Sequence, residues 1–232
     1  MPDTPKDPVR TRGRYVVTLD DAPAGIDERF VVGDIAPGVV RARSTCVQPD
    51  PVGRLESDVR IDLAGVSAAL RWVGSTVGAV REASATLTQD ASGVSASRVV
   101  EGTAYAVTAL PGRLNALAHV VAGPLLLAAV GGADVVEPNV VAAADPATFL
   151  AVVATRWTVT QAGTAVVRVD GTDHEGASYL WTDQRTGLDG HGVIDEGGLL
   201  LRSRLTTPEG LLEVRLTEVS GPWPRPADWF VH

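Results

Sequence analysis

Apolar and polar positions alternate with a period of two along most of the chain. That period marks strands with one buried and one wet face, the pattern of an antiparallel sheet. Residues 54–63, RLESDVRIDL, show it most clearly. Leu55, Val59, Ile61 and Leu63 fall on one face, and Arg54, Glu56, Asp58, Arg60 and Asp62 on the other. Residues 39–48 place Arg41, Arg43 and Thr45 opposite Val40, Ala42, Ser44 and Cys46, so the charges of the two segments are expected to pair across strands. Further strands are read at 14–20, 27–33, 67–73, 79–89, 94–101 and 103–110. A second set is read at 155–161, 164–170, 177–183, 192–196, 199–206 and 211–219. Turn-forming residues separate them, as at 21–25 (DAPAG), 90–93 (DASG), 162–163, 170–176, 183–190 and 208–210 (PEG).

Residues 114–136, LNALAHVVAGPLLLAAVGGADVV, break the pattern and divide the chain into two β-rich halves. Ala116, Leu117, Val120 and Val121 recur at helical spacing, as do Leu125, Leu126, Ala129 and Val130. Pro124 suits a first helical turn, and Gly131-Gly132 suits a stop. The spacing predicts a helix or strand at 114–122 and a helix at 124–131. A segment apolar on nearly every face must be buried. Gly123-Pro124, His119 and the lack of basic flanks argue against a membrane span. Residues 146–153 read as a helical turn capped by Asp145. The expected fold is mainly β: an antiparallel curved sheet or half-open barrel with a central buried helical segment. One domain over 14–232 follows a proline-rich arm at 1–13.

Composition removes whole classes of function. The formal net charge of −8 argues against nucleic acid and anionic membrane surfaces as partners. A single cysteine, Cys46, excludes an internal disulfide and reads as a core residue. The N-terminal residues lack an apolar stretch of the secretory type, so a cytoplasmic protein is expected. G-x-S-x-G, P-loop, H-E-x-x-H and C-x-x-C motifs are absent, and no cofactor or metal is expected. Residues 187–192, GLDGHG, lie between strands with no helix following, unlike a nucleotide loop. His174 and His191 read as turn residues at opposite ends of 177–183, a poor geometry for a shared metal.

The candidate chemistry is therefore that of an enclosed apolar ligand. Ala68, Ala69, Ala79, Ala83, Ala85, Ala96, Ala104 and Ala106 crowd the first-half strands, and a sheet face covered with such small residues leaves room over it, for a helix or for a ligand. Trp72 and Tyr105 in the first half, and Trp157, Tyr179 and Trp181 in the second, pack a core or line a cavity. His119 is either a satisfied core histidine or a polar contact to a ligand. Arg156, Arg168, Arg185, Arg202, Arg204 and Arg215 recur in the second half. They are salt-bridged outward, or, if two or three gather inward, receive a carboxylate or phosphate head group.

This layout of antiparallel strands, buried helical stretch and further strands resembles the lipoprotein-carrier type of fold, a half-open β-barrel closed by a helical lid. Bacterial lipoprotein localisation factors and mycobacterial lipid-binding lipoproteins have it. Residues 14–30 (RYVVTLDDAPAGIDERF) and 181–198 (WTDQRTGLDGHGVIDEGG) are similar to uncharacterised bacterial families of that architecture. The likeness is one of layout over residues 14–219. It implies a lipid-like, hydrophobic or amphipathic small molecule held between sheet and helix. The expected lining is His119, Leu117, Val121, Leu125 and Leu126 from the central stretch, with Trp72, Tyr105, Trp157, Tyr179 and Trp181 from the sheet. Two other readings stand beside it: a cofactor-independent cyclase or isomerase that works by enclosing its substrate, and a structural or interaction protein with a filled core.

Overall fold

A computed structural model describes residues 10–36, 38–49, 52–62, 64–74, 80–114, 134–139 and 146–223. Their regular structure is all strand. The first eight strands form an antiparallel meander: β1 (Thr11–Leu19), β2 (Ala22–Ala36), β3 (Val39–Pro49), β4 (Val52–Asp62), β5 (Gly65–Gly74), β6 (Glu82–Asp90), β7 (Gly93–Val100) and β8 (Thr103–Leu110). Seven more complete the sheet: β9 (Arg113–Leu114), β10 (Asp134–Asn139), β11 (Ala151–Val169), β12 (Thr172–Asp183), β13 (Leu188–Ile194), β14 (Leu200–Thr207) and β15 (Gly210–Ser220). β15 pairs with β1, so one sheet runs from β8 through β1 and β15 to β9.

β9 and β10 form the parallel pair of this sheet, with Val135 beside Arg113 and Val136 beside Leu114. Parallel neighbours need a connection of a dozen residues or more, which 115–133 supply. Leu114, Val135 and Val136, at the two ends of the central stretch, are buried sheet residues, and the helix read at 124–131 lies outside the described residues. Leu117, His119, Val121, Leu125 and Leu126 lie outside the described residues. The helical turn expected at 146–153 is corrected. Residues 146–150 form an irregular turn, and β-branched Val152 and Val153 already belong to β11. No helix among the described residues is long and apolar enough to cross a membrane.

Several hairpins are tighter than the turn composition suggested. β1 turns into β2 at Asp20-Asp21, both at positive φ (48° and 65°). β11 turns into β12 at Asp170-Gly171 (47° and 77°). Two-residue turns of this hand match the twist of the flanking strands, and Asp and Gly tolerate the left-handed conformation. β1 likewise begins at Thr11, inside the segment read as an arm. The break expected at 162–163 is a β-bulge between Gln161 and Gly163 within the 19-residue β11.

The face carrying Tyr15, Val17, Phe30, Val32, Val59 and Ile61 is the buried, concave one. On β4 the alternation holds as read: Leu55, Val59 and Ile61 are buried, and the carboxylate of Asp58 accepts from Arg41 on β3 at 2.5 Å. Over the alanine-rich strands the space is entered by a side chain. Trp72, opposite Ala83, meets Phe149 edge-on at 5.5 Å, and both are fully buried.

The sheet curves but does not close as a ladder, since β8 and β9 stand at its two ends. Side chains bridge the seam. Arg98 on β7 donates to the carbonyls of Pro146 (3.2 Å), Ala147 and Phe149 (2.8 Å). Gln89 Oε1 on β6 accepts from the N–H of Leu114 on β9 at 2.7 Å. The result is a half-open barrel.

Candidate functional site

Three of the aromatic residues singled out from the sequence converge on the concave face of β11 and β12. Alternation puts Thr155, Trp157 and Val159 on one face of β11 and Tyr179, Trp181 and Asp183 on one face of β12. The register sets Trp157 opposite Asp183 and Val159 opposite Trp181. The two indoles stack with centroids 4.5 Å apart and planes 11° from parallel. Trp181 lies flat on β13, where a Cβ added to Gly190 would stand 1.9 Å from its Cζ2. Gly192 stands opposite Tyr179 in the register. Gly190 of GLDGHG is thus a floor beneath the Trp181 ring. The signal was Gly-x-Gly set against Tyr-x-Trp across a tight hairpin.

Trp72 and Tyr105 are not part of this group. Trp72 is buried over Gly53 on the β4–β5 side, its indole N–H directed at the carbonyl of Val80 (3.3 Å). Tyr105 is half-buried on β8, its ring beneath the Arg98 guanidinium at 4.1 Å. That contact belongs to the seam.

Two carboxylic acids that sequence reasoning passed over lie on the same face of the sheet as the stacked indoles, one on β10 and one on β12. Glu137, on β10, shares the concave face with Val135 and Thr155. Asp183 is 6% exposed and accepts from the hydroxyl of Thr155 and from the N–H of Arg185 (2.8 Å). Burial pushes the Glu137 carboxyl above its ordinary value; the charge of Asp183 adds to this and that of Arg185 offsets part. Burial acts on Asp183 in the same sense. There the Thr155 hydroxyl, the Arg185 N–H, the Thr186 hydroxyl and the Arg185 charge outweigh it and hold the carboxyl low. Glu137 therefore keeps its proton to higher pH while Asp183 stays ionised.

Two polar atoms of this patch are buried without a hydrogen-bond partner: the indole N–H of Trp157 and Oε2 of Glu137. Buried polar groups are almost always satisfied, so each such atom points to a role. One is a donor. The other is an acceptor when Glu137 is ionised.

Elsewhere the chemistry is weaker. Burial, and then the charge of Glu28, push the Cys46 thiol up to about 12, so it is a poor nucleophile. Ser44 and Ser57 satisfy one another at 2.8 Å. A solvent-open pocket of about 290 Å³ lies at the β6–β7 turn, lined by Thr88, Asp90, Val94, Leu110 and Pro111. Its one carboxylate, Asp90, is already engaged by the Ser92 hydroxyl and N–H. His174 and His191 lie within β12 and β13 rather than in turns. Among the described residues, no group of His, Cys, Asp and Glu is placed to hold a metal ion. Of the second-half arginines, Arg156 pairs outward with Asp134 at 2.8 Å, and Arg185 lies 3.9 Å from Asp183. Arg202, Arg204 and Arg215 gather on the outer face of β14 and β15 rather than inward.

No protein-family model and no curated protein matches the chain. Among solved structures it is similar to a β-barrel-like protein of a domain of unknown function, DUF1849, from Brucella abortus. The two share 11% identity and a TM-score of 0.50 over 94% of this chain and 99% of that one, a likeness of fold: a β-barrel-like sheet.

Proposed function

We propose that this protein binds an amphipathic small molecule on the concave face of its half-open barrel. The apolar part rests against Trp157, Trp181 and Tyr179, and a hydroxyl-like group meets the Trp157 N–H and Glu137. The observation that carries this is the pair of buried, unsatisfied polar atoms on the same face as an aromatic patch. A hydroxyl both accepts and donates, so one group answers both. The carrier-type, lipid-like ligand suggested by the layout is the class tested first. Indole fluorescence would be followed as dodecanol, then dodecane, is added. Dodecanol is expected to bind more tightly, and Trp157→Phe to weaken it about 5-fold, the worth of one hydrogen bond near 1 kcal/mol. Equal affinity for both ligands, or none for either, would reject the reading. Native mass spectrometry of freshly purified protein adds the natural occupant.

A second reading has its own support. A carboxyl whose burial raises its proton affinity, near one whose hydrogen bonds lower it, is the arrangement of an acid–base pair. A cyclase or isomerase working on the same patch would use Glu137 as the acid and Asp183 as the base. Glu137→Gln would then abolish turnover while leaving ligand binding in place.

A further inference from the structure

The outer face of β13, β14 and β15 carries a cationic cluster built by register. Arg202 stands opposite Arg215, and Arg204 stands between Glu213 and His191. Directly paired side chains on one face lie about 5 Å apart at Cβ, and like charges so placed repel. Glu213 offsets part of this. It is 6% exposed and takes Arg204 Nε at 2.5 Å and Arg215 Nε at 3.4 Å. Three guanidiniums against one carboxylate leave two positive charges. Arg202 holds neither: it makes no hydrogen bond or ion pair among the described residues, and its Nε is buried without a partner. Burial and the Arg204 charge both act against its protonated form. The same two influences, burial first and then the charges of Arg202 and Arg204, lower His191, whose Nε2 lies 2.6 Å from the Ser178 hydroxyl.

This face is also shaped. Beyond the β11 bulge, Val167 and Val169 are buried while Val166 is 61% exposed, and β11 touches β13, β14 and β15 as well as β12. The tip of the β11–β12 hairpin thus turns toward the outer face, where Val193 and Ser178 are also buried. The cluster sits beside this second layer, with Arg204 and Arg215 about half exposed.

We infer that Arg202, Arg204 and Arg215 form a binding site for a doubly charged oxyanion of the phosphate class, on the face opposite the aromatic patch. Glu213 engages the inner Nε of its two arginines, and a guanidinium has five N–H donors, so their terminal amines remain for a ligand. A phosphate dianion matches the two uncompensated charges, and Arg202 is the donor whose partner it supplies.

The test is calorimetry and phosphorus NMR with inorganic phosphate at fixed ionic strength. The protein is expected to bind phosphate, Arg202→Gln to weaken binding at least 10-fold, and Glu213→Gln to tighten it by freeing two arginines. Arg54→Gln, which removes the same charge from distant β4, should leave binding unchanged. Sedimentation with phosphatidylcholine vesicles, plain or doped with phosphatidic acid, distinguishes the source: capture dependent on Arg202 and phosphatidic acid assigns a lipid head group, and binding of free phosphate alone a soluble ligand. Absence of binding by the unaltered protein to both overturns the proposal without recourse to any variant. So does equal loss in Arg202→Gln and Arg54→Gln, with circular dichroism confirming that both are folded.

Discussion

Gly190→Ala tests whether the aromatic patch is set by close approach of a ring to the backbone. The new Cβ would stand 1.9 and 2.0 Å from Cζ2 and Cε2 of Trp181. Ordinary carbon contacts lie at about 3.5–4.0 Å, so the indole must rise by roughly 1.5 Å or the strands must part. Neither is easily absorbed. Trp157 stacks against the same ring at 4.5 Å, and Trp181 is 8% exposed. Overpacking of this kind costs about 1–3 kcal/mol, and loss of the stack adds about 0.5–1.5 kcal/mol. The expected destabilisation is about 2–4 kcal/mol by urea unfolding. The exciton couplet of the paired indoles in circular dichroism should collapse. Gly38→Ala is the counterpart. Gly38 has φ +71° and nothing within 4 Å of an added Cβ, so that change costs only backbone strain of about 1–2 kcal/mol and spares the couplet. If Gly190→Ala keeps both the couplet and the stability of the unaltered protein, the glycine floor is not what positions Trp181.

The remaining predictions address the faces of the sheet, the seam and the buried acid. Ile61→Ala, at 2% exposure, should cost about 2–5 kcal/mol, while Asp58→Ala across the half-exposed Arg41 pair should cost no more than about 1 kcal/mol; similar costs at both would show the face misread. Arg98→Met should cost about 1.5–3 kcal/mol and speed hydrogen exchange at residues 146–151, and unchanged exchange there would mean that the seam is held by something else. Glu137 binds its proton more tightly folded than unfolded, so its contribution to stability is full below the ordinary glutamate value near 4.5 and is lost as pH rises through the elevated folded value. Glu137→Gln should remove that decline, and a stability–pH curve identical to that of the unaltered protein would show that Glu137 is not buried as an acid.

Strand content was legible because the pattern that encodes it is local. The faces of β3 and β4, from Val40 to Ile61, follow from alternation alone, since each side chain's environment is fixed by its own parity. Partners distant in sequence were not legible. Nothing in residues 11–19 announces that β1 pairs with β15, nor anything in Arg113 and Leu114 that they lie parallel to Val135 and Val136. Sheet order is set by which edges meet, not by local periodicity. The candidate site divides in the same way. Trp157, Tyr179 and Trp181 were singled out as aromatics on strands, but their grouping apart from Trp72 and Tyr105 needed the register. Glu137 was hidden in an irregular-looking Glu-Pro pair, and its burial comes from the neighbouring strand rather than from its own segment. The arginines were read on the right strands and as facing outward in salt bridges, but the cluster shared by β14 and β15 is visible only in the register that sets Arg202 opposite Arg215.

Several local rules are broken between β10 and β15, the strands that carry both candidate sites, and that bears on function. From β3 to β6 the register runs without a shift, apolar residues fill the concave face, and charged ones pair on the other. From β10 to β15 the rules are broken repeatedly. β11 carries a bulge between Gln161 and Gly163 and β14 another at Leu201, a carboxyl on the concave face is held above its normal range, and an indole N–H is buried without a partner. On the opposite face like charges are set side by side. Each departure costs stability, and such costs are retained where a ligand repays them. The concave aromatic patch and the outer arginine cluster lie on opposite faces of β11–β15. The two proposed ligands would therefore meet across a single layer of strands rather than at the two ends of the barrel. Occupancy of one face would then be felt at the other through Gly190, which supports Trp181 on one side, and its neighbour His191, which borders the arginines on the other. A shift in the indole couplet on adding phosphate to the unaltered protein, absent in Arg202→Gln, is the result this coupling requires.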